Sequence, residues 1–228
     1  MNALGKHILK IDGLKLEVGE GASRRCLLED SELSIESGQL VALMGVSGSG
    51  KTSLLRCIAG ILKPTKGEII LDDSSIWTLN SKTRTRLRRE TIAFIFQDSN
   101  LLRMLTVREN IEIPWLLRGE RPDPERVDMA AQRLGLVAHL DVFPDSLSGG
   151  ERQRVAVARA LANEAMFVLA DEPTGSLDEE NALRTMEEIR KLAVAGAVCL
   201  VATHDVQVAE RADFVVRINH QRLVTANA

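Results

Sequence analysis

Cysteine is scarce in this sequence. Cys26, Cys57 and Cys199 are far apart and odd in number, so neither a disulfide framework nor a zinc site is suggested, and a reducing compartment fits best. No run of about 18 apolar residues occurs anywhere, and the opening MNALGKHILKIDGLKLEV lacks the long apolar stretch of a secretory signal. Any membrane role is therefore expected to be peripheral. Neither sign of charge is in excess: the formal net charge of -3 removes the electrostatic reason to expect nucleic-acid binding. Repeats, low-complexity tracts and linker-like stretches are also missing. What remains is 45% apolar and 27% charged, ordinary for a globular protein. The chain is long enough to bury a substantial core, and one domain over residues 1–228 is expected.

Alternating apolar positions in HILKIDGLKLEV and in LSIESGQLVALMG predict strands, the second ending at a glycine-rich loop. KTSLLRCIAGIL has helical spacing, GEIILDD reads as a strand, SKTRTRLRRE as a polar helix and IAFIF as a buried strand. From about Asp98 to Ala165 the pattern is almost wholly helical, with breaks at RGERPDP and FPDS. MFVLA and AVCLVA are the short apolar runs of strands in a parallel sheet covered on both faces. The expected class is α/β: a parallel core sheet, an N-terminal antiparallel β portion and a helical insertion in the middle.

GVSGSGKT matches G-x-x-x-x-G-K-[ST] between an apolar strand and a helix, the context that motif requires. Glycines in the loop Gly45, Val46, Ser47, Gly48, Ser49, Gly50 let backbone N–H groups turn around phosphate oxygens, and the start of the helix at Lys51, Thr52 and Ser53 adds partial positive charge. Lys51 is expected to neutralise the β- and γ-phosphates and the Thr52 hydroxyl to coordinate Mg²⁺. Downstream, FVLADE places Asp171 and Glu172 at the C-terminal end of a strand, where ligands sit in open α/β sheets. Asp171 suits holding the magnesium through water, and Glu172 suits polarising an attacking water as general base.

In LSGGERQR, Ser148 and Glu151 form an S-x-x-E capping box opening a helix. That explains the serine and the glutamate but not Gly149 and Gly150, each of which costs roughly 1 kcal/mol against alanine in a helix. The glycines suggest close approach of something anionic, and so a second phosphate-binding helix start on a chain that already has one.

GVSGSGKT, FQD, LSGGERQR, VLADEPTGSLD and ATHD, in that order, resemble an ABC-transporter nucleotide-binding domain over almost the whole chain. The resemblance implies the P-loop ABC ATPase fold and two subunits packed head to tail, with each ATP held between the Gly45 loop of one and the Ser148, Gly149, Gly150 segment of the other. It further implies that Gln97 touches Mg²⁺ or the lytic water, that His204 hydrogen-bonds the γ-phosphate, and that Asp178 lies in the segment crossing the interface. In this family an aromatic ring normally packs on adenine, but tyrosine is absent from this chain. The matching position is taken as Leu16, with Val18, Arg24 or Arg25 as substitutes.

LTVRENIEIPWLLRGE, GEGASRRCLLED and DEPTGSLD resemble the MacB, LolD and FtsE group. That implies an integral membrane permease as partner, a peripheral place on the cytoplasmic face of the membrane, and work on lipoproteins, peptides, drugs or cell-wall enzymes. Only about 20 residues follow Asp205, which leaves no room for the regulatory domain of many sugar importers. Leu101, Leu102, Met104, Leu105 and Trp115 are expected either to line the groove that receives the permease or to form the core of the helical insertion. The basic helix SKTRTRLRRE is read as a solvated face rather than a lipid contact. The alternative, a soluble ABC ATPase acting on nucleic acid or ribosomes, fits less well: Thr52 and Leu147 are only about 95 residues apart, with no coiled coil between them and no second domain.

Overall fold

The computed structural model describes residues 6–226; residues 1–5 and 227–228, included in the single-domain reading of 1–228, lie outside the described residues. In chain order the strands are β1 (Ile8–Val18), β2 (Arg25–Glu36), β3 (Leu40–Met44), β4 (Lys66–Leu71), β5 (Ser74–Ser75), β6 (Ile92–Ile95), β7 (Phe167–Asp171), β8 (Val198–Ala202), β9 (Phe214–Asn219) and β10 (Arg222–Ala226). The helices are α1 (Lys51–Ile58), α2 (Ser81–Thr91), α3 (Val107–Arg118), α4 (Pro124–Arg133), α5 (Gly149–Asn163), α6 (Glu179–Val194) and α7 (Val206–Ala209).

Two sheets form. β2-β1-β4-β5 is antiparallel, and β10-β9-β3-β8-β7-β6 is parallel apart from the terminal β9–β10 hairpin. Every residue of β3, β7 and β8 is buried, as the short continuous apolar runs require. Successive side chains of these strands enter opposite cores. Val168 and Ala170 join the core made with α3 to α6, whereas Phe167 and Leu169 join the core made with α1 and the antiparallel sheet.

The run LSIESGQLVALMG is not one strand. Gly38, at φ +88°, breaks it into the end of β2 and the whole of β3, which belong to different sheets. The left-handed conformation that only glycine adopts cheaply redirects the chain there, and Ser37 Oγ accepts the His7 N–H at 2.6 Å across the break. In the helical middle of the chain, α3 and α5 are opened by reciprocal capping boxes, Thr106/Glu109 and Ser148/Glu151. None of the residues of α2 is buried, and its arginines fold back on the protein. Arg84 lies 4.5 Å from the centroid of the Trp77 ring and donates to the Leu79 carbonyl, and Arg88 donates to the Gly60 carbonyl. The three cysteines are free, and burial pushes the Cys57 and Cys199 thiols up to about 12. Among the described residues no helix is long and apolar enough to cross a membrane.

Candidate functional site

β3 ends at Met44 in the middle of the parallel sheet, and the loop from Gly45 to Gly50 carries the chain into α1. Gly48 and Gly50 sit at φ +73° and +109°, so the backbone turns its N–H groups into the concavity as a phosphate cradle needs. A Cβ at Gly45 would come 2.6 Å from Ser49 Oγ, and one at Gly50 would come 3.1 Å from Leu27 Cβ. Gly50 is closed to larger residues by its left-handed φ and Leu27, whereas a side chain at Gly45 would have to displace the Ser49 hydroxyl. The Lys51 ammonium donates to the Gly45 carbonyl at 2.8 Å, which holds it over the loop.

Register places the acids. β7 pairs with β8 so that Asp171 lies opposite Ala202, and the next residues of each strand, Glu172 and those leading to His204, emerge side by side. Glu172 adopts the left-handed region at φ +47°, with its N–H bonded to the Ala202 carbonyl at 2.9 Å. Strain of this kind in a non-glycine residue clusters at functional sites. Its carboxylate Oε1 lies 2.9 Å from His204 Nδ1. Asp171 is buried below, and burial pushes its carboxyl above the usual carboxylate range. The Thr52 hydroxyl hydrogen bond, Arg56 and Lys51 pull it down, and neighbouring Glu172 adds to the rise.

These groups face one cleft of about 700 Å³, lined by residues 47–53, Gln97, Asp171, Glu172 and His204 together with Val18, Arg25, Leu27, Asp98, Gly175 and Ser176. Thus the phosphate loop, the two acids, Gln97 and His204 converge although nearly 160 residues separate the first from the last. The donor set fits a divalent cation. Thr52 offers a hydroxyl, Asp171 a desolvated carboxylate and Gln97 an amide oxygen, all hard oxygen donors.

Leu16 does not belong to the cleft. It is fully buried in the core of the antiparallel sheet, with no surface left to offer a ligand. Val18, two residues on along the same face of β1, lies past the edge of that core and lines the cleft. Its cross-strand partner Arg25 lines it too, reaching 3.5 Å from the Gly48 carbonyl. Leu27, Asp98, Gly175 and Ser176 also line the cleft; each lies within a segment quoted for the family resemblance but was given no role of its own.

Ser148 and Gly149 lie exposed at the start of α5, outside this cleft. The Ser148 hydroxyl accepts from the Glu151 N–H while the Glu151 carboxylate accepts from Ser148, and that hydroxyl holds the Glu151 carboxyl below its ordinary range. The two glycines differ. A Cβ at Gly149 would meet nothing closer than 3.9 Å, whereas one at Gly150 would approach Leu177 Cδ2 at 3.2 Å and the Ser176 carbonyl at 3.3 Å. Gly150 therefore has a packing reason that the anion argument overlooked, and Gly149 is the one left open to a ligand. Asp178 caps α6, accepting from the Asn181 N–H at 2.8 Å; that bond keeps its carboxyl low.

Beyond Gln97 an apolar groove is lined by Phe94, Phe96, Leu102, Ile113, Pro114 and Leu117 among others. Of the residues expected there, Leu102 is present. Trp115 is buried in the core of the helical insertion, as the other reading of it held, and Leu101 packs against that core.

Residues 28–175 match the ABC transporter family. Over 222 residues the chain is 40% identical to an ABC transporter ATP-binding protein of Mycobacterium tuberculosis, covering 96% of this chain and 90% of that one. It is also 40% identical over 211 residues to the macrolide export ATP-binding/permease protein MacB of Campylobacter jejuni, with 91% of this chain covered but only 32% of MacB. Among solved structures, the dimeric bacterial ABC transporter cassette MJ0796 superposes with a TM-score of 0.89 at 32% identity, over 96% of this chain and 98% of that one. The same cassette in a post-hydrolysis state bound to ADP and Pi matches equally well. Cleft and kinship agree: this chain belongs to the ABC transporter family, as an ATP-binding cassette that hydrolyses ATP.

Proposed function

We propose that two copies of this chain, each a single cassette domain, clasp two ATP molecules between them, and that closure and reopening drive an integral membrane permease of the MacB or LolD type from the cytoplasmic face of the membrane. The observation that carries the reading is the second helix start. Ser148 and Gly149 are exposed at that helix start and line no part of the chain's own cleft. A ligand already seated on the Gly45 loop meets them only if they come from a partner. A twofold arrangement then makes two equivalent composite sites, with Asp178 near the shared boundary. The dimeric form of MJ0796 and the ATP-binding/permease character named for MacB support this.

Within each site, Lys51 and the loop N–H groups bind and orient the β- and γ-phosphates. Thr52 and Gln97, with Asp171 through water, would hold Mg²⁺, which would supply neutralisation of the phosphate charge. Glu172 orients the attacking water and accepts its proton, and His204, bonded to the Glu172 carboxylate, fixes that carboxylate and faces the γ-phosphate. Ser148, Gly149 and Gly150 of the partner copy donate to the γ-phosphate as negative charge redistributes.

The groove containing Leu102 is the surface we assign to the permease, whose cargo in this reading is a lipoprotein, peptide or drug, or whose output is mechanical. The test is E172Q in the presence of ATP. Sedimentation should show a stable ATP-bound dimer with turnover reduced about 10²- to 10³-fold; a variant that stays monomeric at high protein and ATP concentration contradicts the composite site. L102D should leave ATP binding intact while transport by the assembled complex is lost.

A further inference from the structure

The chain between the nucleotide cleft and the apolar groove is a short loop with an unusual backbone. Gln97 and Asp98 line the cleft on one side, and Asn100 and Leu102 line the groove on the other. Between them Ser99 and Asn100 are both left-handed, at φ +55° and +48°. Two successive non-glycine residues in this region carry strain that the surroundings must over-determine. Ser99 is buried, its N–H bonds to the Phe96 carbonyl at 3.0 Å, and the Asn100 N–H bonds to Asp98 at 2.6 Å.

What fixes the loop comes from α5, the helix that Ser148 opens. Gln153, itself buried, donates to the Phe96 carbonyl at 3.3 Å. Further along, Arg159 Nη2 donates to the Ser99 carbonyl at 3.1 Å and Nη1 to the Asn100 carbonyl at 3.2 Å. The guanidinium fork thus spans the two carbonyls of the left-handed pair, an arrangement its planar geometry suits and an ammonium cannot reproduce. Burial pushes the Arg159 guanidinium down to about 10, with no acid acting against it. A desolvated cation held by carbonyls alone is costly unless their geometry is kept.

We propose that Arg159 is the positioning residue of the Gln97 loop: by bridging the Ser99 and Asn100 carbonyls it maintains the left-handed pair, and with it the presentation of Gln97 to the nucleotide cleft. The helix whose first turn we assign to the partner's ATP is thereby tied to the loop that completes its own chain's site. Arg159 does not line the nucleotide cleft and acts through the backbone carbonyls of Ser99 and Asn100.

The inference rests on the reading of Gln97 as part of an ATP-hydrolysing site, so steady-state turnover of the wild-type chain comes first. Absence of wild-type turnover defeats that reading and this inference together; with an active wild type, the following comparisons judge the inference alone. R159M should lower kcat about tenfold while ATP affinity stays within about twofold. In a Q97A background, R159M should change kcat by less than about twofold, because the two act in one chain of contacts. S99G, which adopts the left-handed form without steric cost, should restore at least half of the activity lost in R159M. R159K should fall between wild type and R159M, and it carries the same comparisons should R159M lose its helical circular dichroism. A wild-type kcat for R159M, a multiplicative loss with Q97A, or no recovery by S99G overturns the proposal.

Discussion

His204 Nδ1 lies 2.9 Å from Glu172 Oε1, and the pairing exists because β7 and β8 are neighbours in the parallel sheet, with Asp171 opposite Ala202. A base oriented by a second side chain is the geometry expected for activating water. His204 is largely solvent-exposed while Glu172 is sheltered, so removing the imidazole frees the carboxylate without leaving a cavity. H204A is therefore expected to lower kcat by about 10²-fold or more with little change in ATP affinity. Single-turnover hydrolysis beside equilibrium nucleotide binding separates the two quantities.

Asp171 gives a prediction in which stability and activity move in opposite directions. Burial raises its carboxyl above the value in the unfolded chain, about 3.9. The folded chain thus favours the protonated form. That contribution is fully present below the unfolded pKa and is lost as pH rises through the folded value, so at neutral pH the buried anion is a net cost. D171N removes the cost and is expected to raise the Tm of the nucleotide-free chain at pH 7 by on the order of 2–4 °C, an increment that shrinks toward nothing near pH 4. Turnover should fall at least about 10²-fold, since the carboxylate is gone from the cation's donor set. Thermal unfolding at several pH values, next to steady-state ATPase, checks both signs.

The end of the cleft that we assign to the base is aliphatic and cationic. Val18 and Arg25 lie side by side there, and among the described residues no Phe, Tyr or Trp lines it. Without stacking, ATP and GTP should bind within a few-fold of each other. V18Y should tighten ATP binding by about 2- to 10-fold, the worth of an aromatic stacking contact. Titration calorimetry with both nucleotides on wild type and V18Y decides it, and unchanged ATP affinity in V18Y removes Val18 from the base site.

The same region shows what local sequence can and cannot carry. Alternation along HILKIDGLKLEV marks the buried face of β1, but a bulge at Gly13, φ +56°, shifts the register between Ile11 and Leu14. Period-two patterning names a face without saying where the core beneath it ends. Leu16 and Val18 share that face, and only the packing of the antiparallel sheet puts one inside and the other at the cleft.

By contrast the phosphate loop and Asp171-Glu172 were legible because strand, turn and helix are contiguous there and the chemistry is set by local backbone. The strand break at Gly38 was written in a glycine that the apolar alternation around it masked. Gly150 misled for another reason. Its neighbours Ser176 and Leu177 come from a segment beyond β7, so its packing role is invisible along the chain. Nothing along the chain marks Arg159, because the two carbonyls it meets belong to a loop 59 and 60 residues upstream.

In the proposed dimer one chain holds the phosphate loop and the acids while a second supplies Ser148 and Gly149. The measurement that bears on it most directly is specific ATPase activity of the purified chain against its own concentration, at saturating Mg²⁺ and ATP. Specific activity should rise steeply with protein concentration and level off where sedimentation shows the ATP-dependent dimer. Full specific activity at concentrations where every molecule sediments as a monomer contradicts the claim.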